Sequence, residues 1–431
     1  MKKYVKWDLQ LFAQPNTQVT TDNNMSVEMK TYYQDRLIDN AEPNLVYQQF
    51  GSKRPIPAGK GKSTEFRKYD PLPKNLTTLV EGVTPDGQSL NVTNITATVN
   101  QYGGYITVSD VLDLTAIDRN IDEATKLLGG QAGRTLDTVV RDIVTAGTNV
   151  MFAPSVSGTT ETPITLRKDV TTACGLTPKV VRLAAAKLRR MNAVPIDDCF
   201  VAIVHPDVVC DLMGTEEWID FHKHTDTGVG QYYNGEVGRI AGVRFVQSTE
   251  AKIFAPGKIC GILACRTTAQ ANAASGATTV KPDITIAAAD ATAINAAITA
   301  GATYKVYIDG AEHTISEVTA GVPGTAAFTV DALTAAVTAG DVICGVGGGK
   351  DGTAVYGTML LAANAYGVTE ISGGGLKHII KQMGSAGTAD PLNQRATTGW
   401  KAMLTAVRLT EPYMVRVEHS GASFGATAEA N

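Results

Sequence analysis

The chain has 431 residues, 44% of them hydrophobic, and a formal net charge of −4, which is typical of a folded protein with one elaborated domain or a few compact units. This mild acidity argues against a general nucleic-acid-binding protein, whose surface would show a strong basic excess. The six cysteines form no C-x-x-C pair, and Cys260 and Cys265 lack nearby histidines at ligand spacing, so we expect reduced thiols and no zinc site.

Residues 1–50 are polar and irregular, apart from one short amphipathic segment around Leu37 and Ile38. The opening MKKYVKWDLQLFAQP is similar to a secretory signal, but Asp8 and Gln10 interrupt its apolar run and no clear cleavage site follows. No stretch approaches the length of a membrane-spanning helix. We therefore expect a soluble protein whose first fifty residues form an arm, held in place by a partner such as a neighbouring subunit.

The stretch RPIPAGKGKSTEF, residues 54–66, contains the residue types of a phosphate-binding loop. A Walker loop places its first glycine where this chain has Ile56, and the prolines on either side remove N–H donors that such a loop needs. The residues that follow are typical of extended chain rather than of a helix. The stretch therefore predicts a cationic β-loop and argues against a nucleotide site.

The segment from Lys53 to Lys74 carries seven basic residues against two acidic ones, a local excess of +5. Further on, NVTNITATVNQYGGYITVSDVL alternates apolar and polar residues as a strand does, with Gly103-Gly104 as a kink or bulge. The turn signals LPKN and PDG predict a long two-stranded excursion. Such a ribbon cannot bury a core of its own, and its exposed edges need a partner.

Apolar residues at spacings of three and four predict the clearest helix over residues 117–146, with these positions on one face: Ile117, Ile121, Ala124, Leu128, Ala132, Leu136, Val139 and Ile143. A second helix is predicted to begin at Thr177-Pro178, a good cap followed by proline in the first turn. CFVAIVH is typical of a buried strand, PDVVCDLMG of a short helix and GVRFVQS of another strand. This alternation predicts a compact α/β module.

Composition shifts near Arg266 to a stretch rich in alanine, threonine and glycine. DITIAAA, TYKVYIDGAEHTISEV, AAFTVDAL and GDVICGV are predicted as short strands, with Asp309-Gly310 as a hairpin turn. We predict a small all-β domain inserted at residues 266–350 and interpret the glycine run GVGGGKDG as a hinge. Beyond it, AVYGTMLLAANAYGV resumes the α/β module and VRLTEPYMVRVEHS predicts a strand.

The side chains that could support catalysis are not organised into a site. His222 and His224 form an H-x-H pair without further ligands in sequence, and His205 is expected to cap the helix that follows because no G-x-S-x-G elbow exists. We therefore predict no catalytic, cofactor-binding or metal-binding residues and no enzyme activity. An arm and a ribbon that need burial against neighbours indicate a self-assembling subunit.

Several long motifs in order carry a resemblance to a known family. They include LVYQQFGSKRPIPAGKGKSTEFRKYDPL, LVEGVTPDGQSLNVTNITATVNQYGGYITVSDVLDLTAID, RTLDTVVRDIVTAGTNV, GRIAGVRFVQSTEAKIF and KQMGSAGTADPLNQRATTGWKAMLTAVRLTEPYMVRVE. Over most of residues 30–420 the chain closely resembles the N4-like family of tailed-phage major capsid proteins. The block from about 266 to 350 departs from the family pattern.

The resemblance implies an α+β fold of the HK97 type. Residues 1–50 would form the N-arm, 51–100 the extended E-loop, 101–165 the P domain with its spine helix, 166–265 and 351–404 the two parts of the A domain around the insertion, and 405–431 the C-terminal strand and tail of the P domain. Six E-loop cations would then contact acidic groups of an adjacent subunit: Lys53, Arg54, Lys60, Lys62, Arg67 and Lys68.

The function that the resemblance implies is assembly into the hexamers and pentamers of an icosahedral shell. The shell would form in the host bacterial cytoplasm, enclose double-stranded DNA without sequence-specific binding, and use no cofactor and no membrane. Scaffolding, portal and decoration proteins are further expected partners. An encapsulin-like nanocompartment, a surface-layer or adhesin protein and a P-loop-like NTPase are the alternatives.

Overall fold

The computed structural model describes residues 46–69, 72–76, 78–79, 81–84, 87–110, 120–223, 238–385, 392–426 and 428–431. The predicted arm lies outside the described residues except for its last five. The chain divides into two compact units, and the divisions among the described residues follow Asn100, Thr135, Ser372 and Met403. Of the described residues, the first unit holds Gln101–Thr135 and Gly373–Met403, and the second holds the rest.

Twenty-two strands and five α-helices occur in the described residues. The strands are β1 Ser52–Lys53, β2 Ser63–Tyr69, β3 Val92–Thr98, β4 Asn100–Ser109, β5 Val150–Phe152, β6 Ser155–Ser157, β7 Thr160–Thr162, β8 Phe200–Val204, β9 Arg239–Ile240, β10 Val243–Gln247, β11 Ile253–Phe254, β12 Arg266–Thr268, β13 Thr279–Val280, β14 Tyr304–Ile308, β15 Ala311–Thr319, β16 Ala327–Val330, β17 Val342–Gly345, β18 Val355–Leu361, β19 Tyr366–Glu370, β20 Lys377–Lys381, β21 Arg395–Arg408 and β22 Met414–His419. The helices are α1 Asn120–Thr145, α2 Pro178–Arg190, α3 Pro206–Met213, α4 Glu216–Lys223 and α5 Ala288–Thr299.

The first unit is built on a small antiparallel sheet, in which β20 pairs with the first half of β21 from Lys377↔Lys401 to Lys381↔Thr397. β4 also pairs with β21 and runs without interruption through the glycines predicted as a kink. A Cβ added at Gly103 would lie 2.7 Å from the main-chain oxygen of Trp400, so glycine here permits close approach. The buried Trp400 donates from Nε1 to Oε1 of Gln131 at 3.2 Å.

The main sheet of the second unit has seven strands in the order β5-β22-β18-β8-β10-β9, with β11 paired to β18. β8 and β10 are parallel, whereas β18 is antiparallel to both β8 and β22. All seven residues of β18 are buried, as expected for a central strand that is covered on both faces. The predicted α/β module is therefore present, with strands from both sides of the insertion.

Two helices of this unit begin as the sequence predicts. The hydroxyl of Thr177 accepts from the backbone N–H of Val180 at 3.4 Å, and α2 starts at the proline that follows Thr177. Nδ1 of His205 accepts from the N–H of Asp207 at 3.3 Å and so caps α3. The apolar faces of α2 and α3 pack into the core around β8, with these residues buried: Val180, Val181, Ala184, Leu188, Val208, Val209 and Leu212.

A buried ion cluster ties β22 to the end of α1. The carboxylate of Glu418 accepts from Nε and Nη2 of Arg167 at 2.7 and 2.5 Å and from Nε of Arg416 at 2.8 Å. Arg416 also donates from Nη1 to the main-chain oxygens of Thr145 and Gly147. The last turn of α1 contains no basic residue, so Arg416 supplies the positive charge that the C-terminal carbonyls of a helix favour.

The insertion is a separate antiparallel sheet of six strands in the order β12-β17-β14-β15-β16-β13. Main-chain hydrogen bonds from Gln270 to Lys281 and from Asp283 to Thr268 join the two outer strands, so the sheet closes on itself. The predicted hairpin turn is confirmed, since Asp309 and Gly310 both have the positive φ of a tight β-turn. The enclosed core draws in Ile259 and Leu263, which precede the predicted boundary.

The prediction of an all-β insertion is wrong, because α5 lies within it. DITIAAA, predicted as a strand, contains an isolated bridge at Ile286 and then the start of the helix. Six of the twelve residues of α5 are alanine, the strongest helix former, and Ala291 and Ile294 form its buried side. The side chain of Asn295 bonds both the N–H and the C=O of Val318 at 2.9 Å, which fastens α5 to β15.

The two chain segments that connect the insertion to the rest of the unit lie side by side. Gly257 donates to the carbonyl of Val346 at 3.0 Å, and Gly345 donates to the carbonyl of Cys265 at 3.0 Å. A Cβ at Gly345 would lie 1.9 Å from the oxygen of Gly257, and one at Gly349 would lie 2.3 Å from the oxygen of Val170. The glycine run predicted as a hinge is thus a tightly packed neck.

We expect that replacing Lys258–Val346 with a short Gly-Ser linker leaves the rest of the chain folded, because the cut ends are already adjacent and the removed residues have a core of their own. The far-ultraviolet circular dichroism and a cooperative thermal transition are the measurements. Removal of residues 266–350 is the matched control and should destabilise the chain. It leaves Ile259 and Leu263 without the core in which they are buried, and it removes Gly349, which packs against Val170. An unfolded product from the first deletion would contradict an autonomous insertion.

Candidate self-association surface

The strands β2 and β3 form a two-stranded antiparallel ribbon with a register from Ser63↔Thr98 to Tyr69↔Val92. Within it, Phe66 and Ala97 are buried, whereas most other residues of the two strands are exposed or half-buried. The predicted two-stranded excursion is therefore present. The ribbon packs on its own unit through a few residues and leaves the rest of its surface open.

The base of the ribbon is fixed by the stretch that follows β1. Ile56 is buried and forms a parallel bridge with Ile371, donating to the carbonyl of Glu370 at 2.8 Å. Phe66 lies against the glycine at position 367, where a Cβ would come within 2.8 Å of its ring. These contacts explain why the chain has isoleucine at position 56: the residue extends the pairing with β19.

The Walker-like stretch does not form a phosphate loop. Gly59 and Gly61 both have positive φ in a tight turn, and the N–H of Lys60 donates to the carbonyl of Pro57 at 3.2 Å. Strand β2 begins at Ser63, where a phosphate loop would begin a helix whose N-terminus faces the anion. The predicted extended chain after this stretch is confirmed.

The six predicted contact cations are spread along the ribbon and its base. Lys53, Lys60, Lys62 and Arg67 are exposed and Lys68 is half-buried. Arg67 and Lys68 are neighbours in a strand and so point to opposite faces. Arg54 donates from Nη1 to the carbonyl of Glu65 at 3.3 Å, with its guanidinium 5.7 Å from the Phe66 ring. None of the six forms an ion pair with an acidic residue in the described part of the chain.

The loop that connects the two strands of the ribbon exposes a series of large apolar side chains, which the sequence analysis missed. The exposed fractions are 85% for Leu76, 75% for Leu79 and 67% for Leu90, and the series continues with Leu72, Val83, Tyr69 and Val92. We call these seven residues the apolar tip. The signal in the sequence was a run of leucines among prolines, asparagines and threonines without the periodicity of a helix or strand. Apolar side chains in such a context have no core of their own to enter.

The residues weighed for catalysis do not form a site. His205 serves as the cap of α3, and the H-x-H pair lies outside the described residues except for the main chain of His222. Among the described residues, no three histidine, cysteine or carboxylate side chains lie close enough together to hold a metal ion. No described helix is both long enough and apolar enough to cross a membrane.

The fold is similar to those of solved phage capsids. The capsid of Ralstonia phage GP4 superposes with a TM-score of 0.51 at 9% identity, over 95% of this chain and 97% of that one. The capsid of Cyanophage P-SCSP1u gives a TM-score of 0.50 at 12% identity over 88% of each chain. The capsid of Cyanophage Pam1 gives a TM-score of 0.50 at 12% identity over 85% and 87%. The mixed α+β fold is therefore that of phage capsid proteins.

The sequence agrees with the fold, because residues 93–263 match the model of a family described as phage capsid protein. Together, the family match and the fold support a phage major capsid protein. No curated protein matches it. The match to the family model runs from β3 through α1 to the neck of the insertion. It includes one strand of the ribbon and five of the seven strands of the main sheet, β5 and β8 to β11.

Proposed function

We propose that the capsid protein adopts the HK97-type fold and assembles into hexamers and pentamers of an icosahedral shell. The observation that carries the proposal is the ribbon with its exposed apolar tip, together with six cations along the ribbon and its base, none of which forms an ion pair in the described chain. In a shell, neighbouring copies would bury the exposed apolar side chains of the tip and supply partners for the cations. Closed symmetry then multiplies many modest contacts.

The ribbon would be the E-loop of this fold. Its apolar tip would bury against a neighbouring copy, at about 25 cal/mol per Å² of apolar surface. Its cations Lys60, Lys62, Arg67 and Lys68 would pair with acidic groups of that copy and fix the register of the contact, since charge complementarity adds specificity more than affinity. Lys53 and Arg54 would act at the base.

The remaining segments would follow the predicted order: an N-arm over 1–50, a P domain over 101–165 with α1 as spine helix, an A domain over 166–265 and 351–404, and a terminal P-domain strand and tail over 405–431. The insertion would project outward, because its neck is narrow and its core is closed. In that position it would serve as decoration or as a contact with the host surface.

The shell would form in the host cytoplasm and enclose double-stranded DNA. The net charge of −4 per chain suits the inner surface of a shell that must not bind DNA tightly, since each cation that contacts a phosphate adds salt-dependent affinity. Scaffolding, portal and decoration proteins would be further partners. Neither an enzyme activity nor a cofactor enters this proposal.

We expect the purified full chain, alone or with its scaffolding protein, to form closed particles of uniform diameter in negative-stain electron microscopy. Capsomers of five and six copies should be visible in class averages. Particles that enclose a cargo enzyme instead of DNA in infected cells would favour the encapsulin-like alternative. A chain that stays monomeric at high concentration, or that binds a nucleotide, would overturn the proposal.

A further inference from the structure

Asp137 lies in the middle of α1 with its side chain fully buried, at the place where the first described residues pack on the helix. Its Oδ1 accepts from the backbone N–H of Tyr47 at 2.7 Å, and the N–H of Val46 bonds the same carboxyl group. Tyr47 is also fully buried, and its main-chain oxygen accepts from the hydroxyl of Tyr366 at 2.5 Å. The start of the described chain is thus held by a helix carboxyl on one side and a strand hydroxyl on the other.

The carboxyl group of Asp137 forms no ion pair in the described chain, and the nearest cation, Arg141, lies 3.9 Å from the carboxylate of Glu250. Arg141, one turn further along α1, donates to Asp142 and to the main-chain oxygens of Glu250 and Asn431. Lys252 also bonds Asp142, at 3.3 Å. Oδ2 of Asp137 is buried and has no hydrogen-bond partner among the described residues.

The surroundings of Asp137 favour its neutral form. Burial raises its pKa to about 7, and the nearby carboxylate of Glu250 adds to the rise. The hydrogen bonds from Tyr47 and Val46 and the charge of Arg141 act in the opposite direction without offsetting it. Burial also raises the pKa of the Tyr47 and Tyr366 phenols above the ordinary value, so both remain neutral near pH 7.

We propose that Asp137 is a pH-sensitive anchor that holds residues 46–48 against α1 when it is neutral and loosens them when it is charged. The neutral acid still offers a carbonyl oxygen to the Tyr47 N–H, so protonation keeps this hydrogen bond and removes the buried charge. The charged form keeps the bond but leaves a buried carboxylate without a direct ion pair near Glu250. Opening of the segment lets water reach that carboxylate and relieves the penalty.

The direction of the pH effect follows from the two pKa values. In the closed form Asp137 holds its proton up to about pH 7, whereas in an open, hydrated form its pKa returns to about 3.9. Between these values, each pH unit favours the open form by about tenfold, and above about pH 7 the ratio becomes constant. The anchor is therefore tight in mild acid and weaker at and above neutrality.

Hydrogen exchange of the full chain, read by mass spectrometry at pH 5 to 8.5 and corrected for intrinsic rates, tests the anchor. We expect the protection of a peptide covering residues 46–50 to fall about fiftyfold from pH 5 to 7 and to level off at about a hundredfold above pH 8. Asp137→Asn, which keeps the acceptor oxygen and cannot ionise, should retain the protection at every pH. A peptide covering β8 serves as the internal reference for the folded state.

Asp142→Asn is the matched control, because it removes a half-exposed carboxylate one turn away and should keep the wild-type profile. A local readout is needed because burial lowers the pKa of His419 to about 4, which makes global stability rise with pH over the same range. A flat wild-type profile would overturn the proposal. So would an Asp137→Asn variant that keeps the wild-type slope, or one that loses protection at every pH while β8 stays protected.

Discussion

Replacing Glu418 with alanine is expected to lower the free energy of unfolding by about 3–5 kcal/mol, because it leaves the guanidinium groups of Arg167 and Arg416 without their shared counter-ion. The side chain of Glu418 is 1% exposed, so water cannot replace the lost carboxylate. Arg416 would also lose the partner that orients it toward the last carbonyls of α1. Urea unfolding of the unassembled chain, followed by circular dichroism, gives the measurement.

The matched control for this experiment is Glu161→Ala, which breaks the ion pair with Lys179 on the surface. Both partners of that pair are more than 40% exposed, and we expect a loss of less than about 1 kcal/mol. Glu418→Gln should fall near the alanine variant, since it keeps the shape but not the charge. Equal effects of the Glu418 and Glu161 variants would show that the buried cluster does not stabilise the end of α1.

Reversal of the charges at Lys60, Lys62, Arg67 and Lys68 to glutamate is expected to abolish shell formation while leaving the subunit folded. An exposed ion pair contributes about 0.5 kcal/mol, so four of them per contact amount to about 2 kcal/mol, or roughly thirtyfold in affinity, before repulsion is added. In the proposed shell each copy would make such contacts with its neighbours, so the effect would multiply over the shell. Electron microscopy and sedimentation velocity over a concentration series give the readout.

Four exposed cations elsewhere provide a control with the same change in net charge: Arg182, Arg190, Lys258 and Lys281. Their reversal should leave assembly within about threefold of the wild type, since exposed charges far from a contact are screened by salt. A third variant, with Leu76 and Leu79 changed to serine, separates the apolar tip from the cations. Normal particles from the ribbon charge reversal would refute its role in self-association.

Elements with strong local signals were predictable from the sequence. The helices α1, α2 and α3, the caps at Thr177 and His205, and the turn at Asp309-Gly310 all follow from spacing or from the chemistry of a few neighbouring residues. Even there the prediction of the buried face was off by one residue. In the second half of α1, Val140 and Val144 are fully buried, whereas the predicted Val139 and Ile143 are half-buried.

Features set by distant parts of the chain were not predictable. Whether the alanine-rich stretch near Asp290 becomes a strand or a helix is decided by its packing on β15, through Asn295 and Val318. The glycines near Gly349 were interpreted as flexible because the sequence does not show the backbone of Val170 against them. The apolar tip was missed for the same reason. The cations of the ribbon are visible in the sequence, but the exposure of the tip residues depends on whether other parts of the fold pack against them.

The narrow neck of the insertion has a consequence for how this capsid protein can change over generations. Because the polypeptide leaves and rejoins the main sheet at adjacent points, a foreign module with neighbouring termini can replace the present one through two junctions that lie side by side. The host scaffold would keep every one of its own strand pairings. The same location is a natural attachment point for displaying enzymes or antigens on an engineered particle.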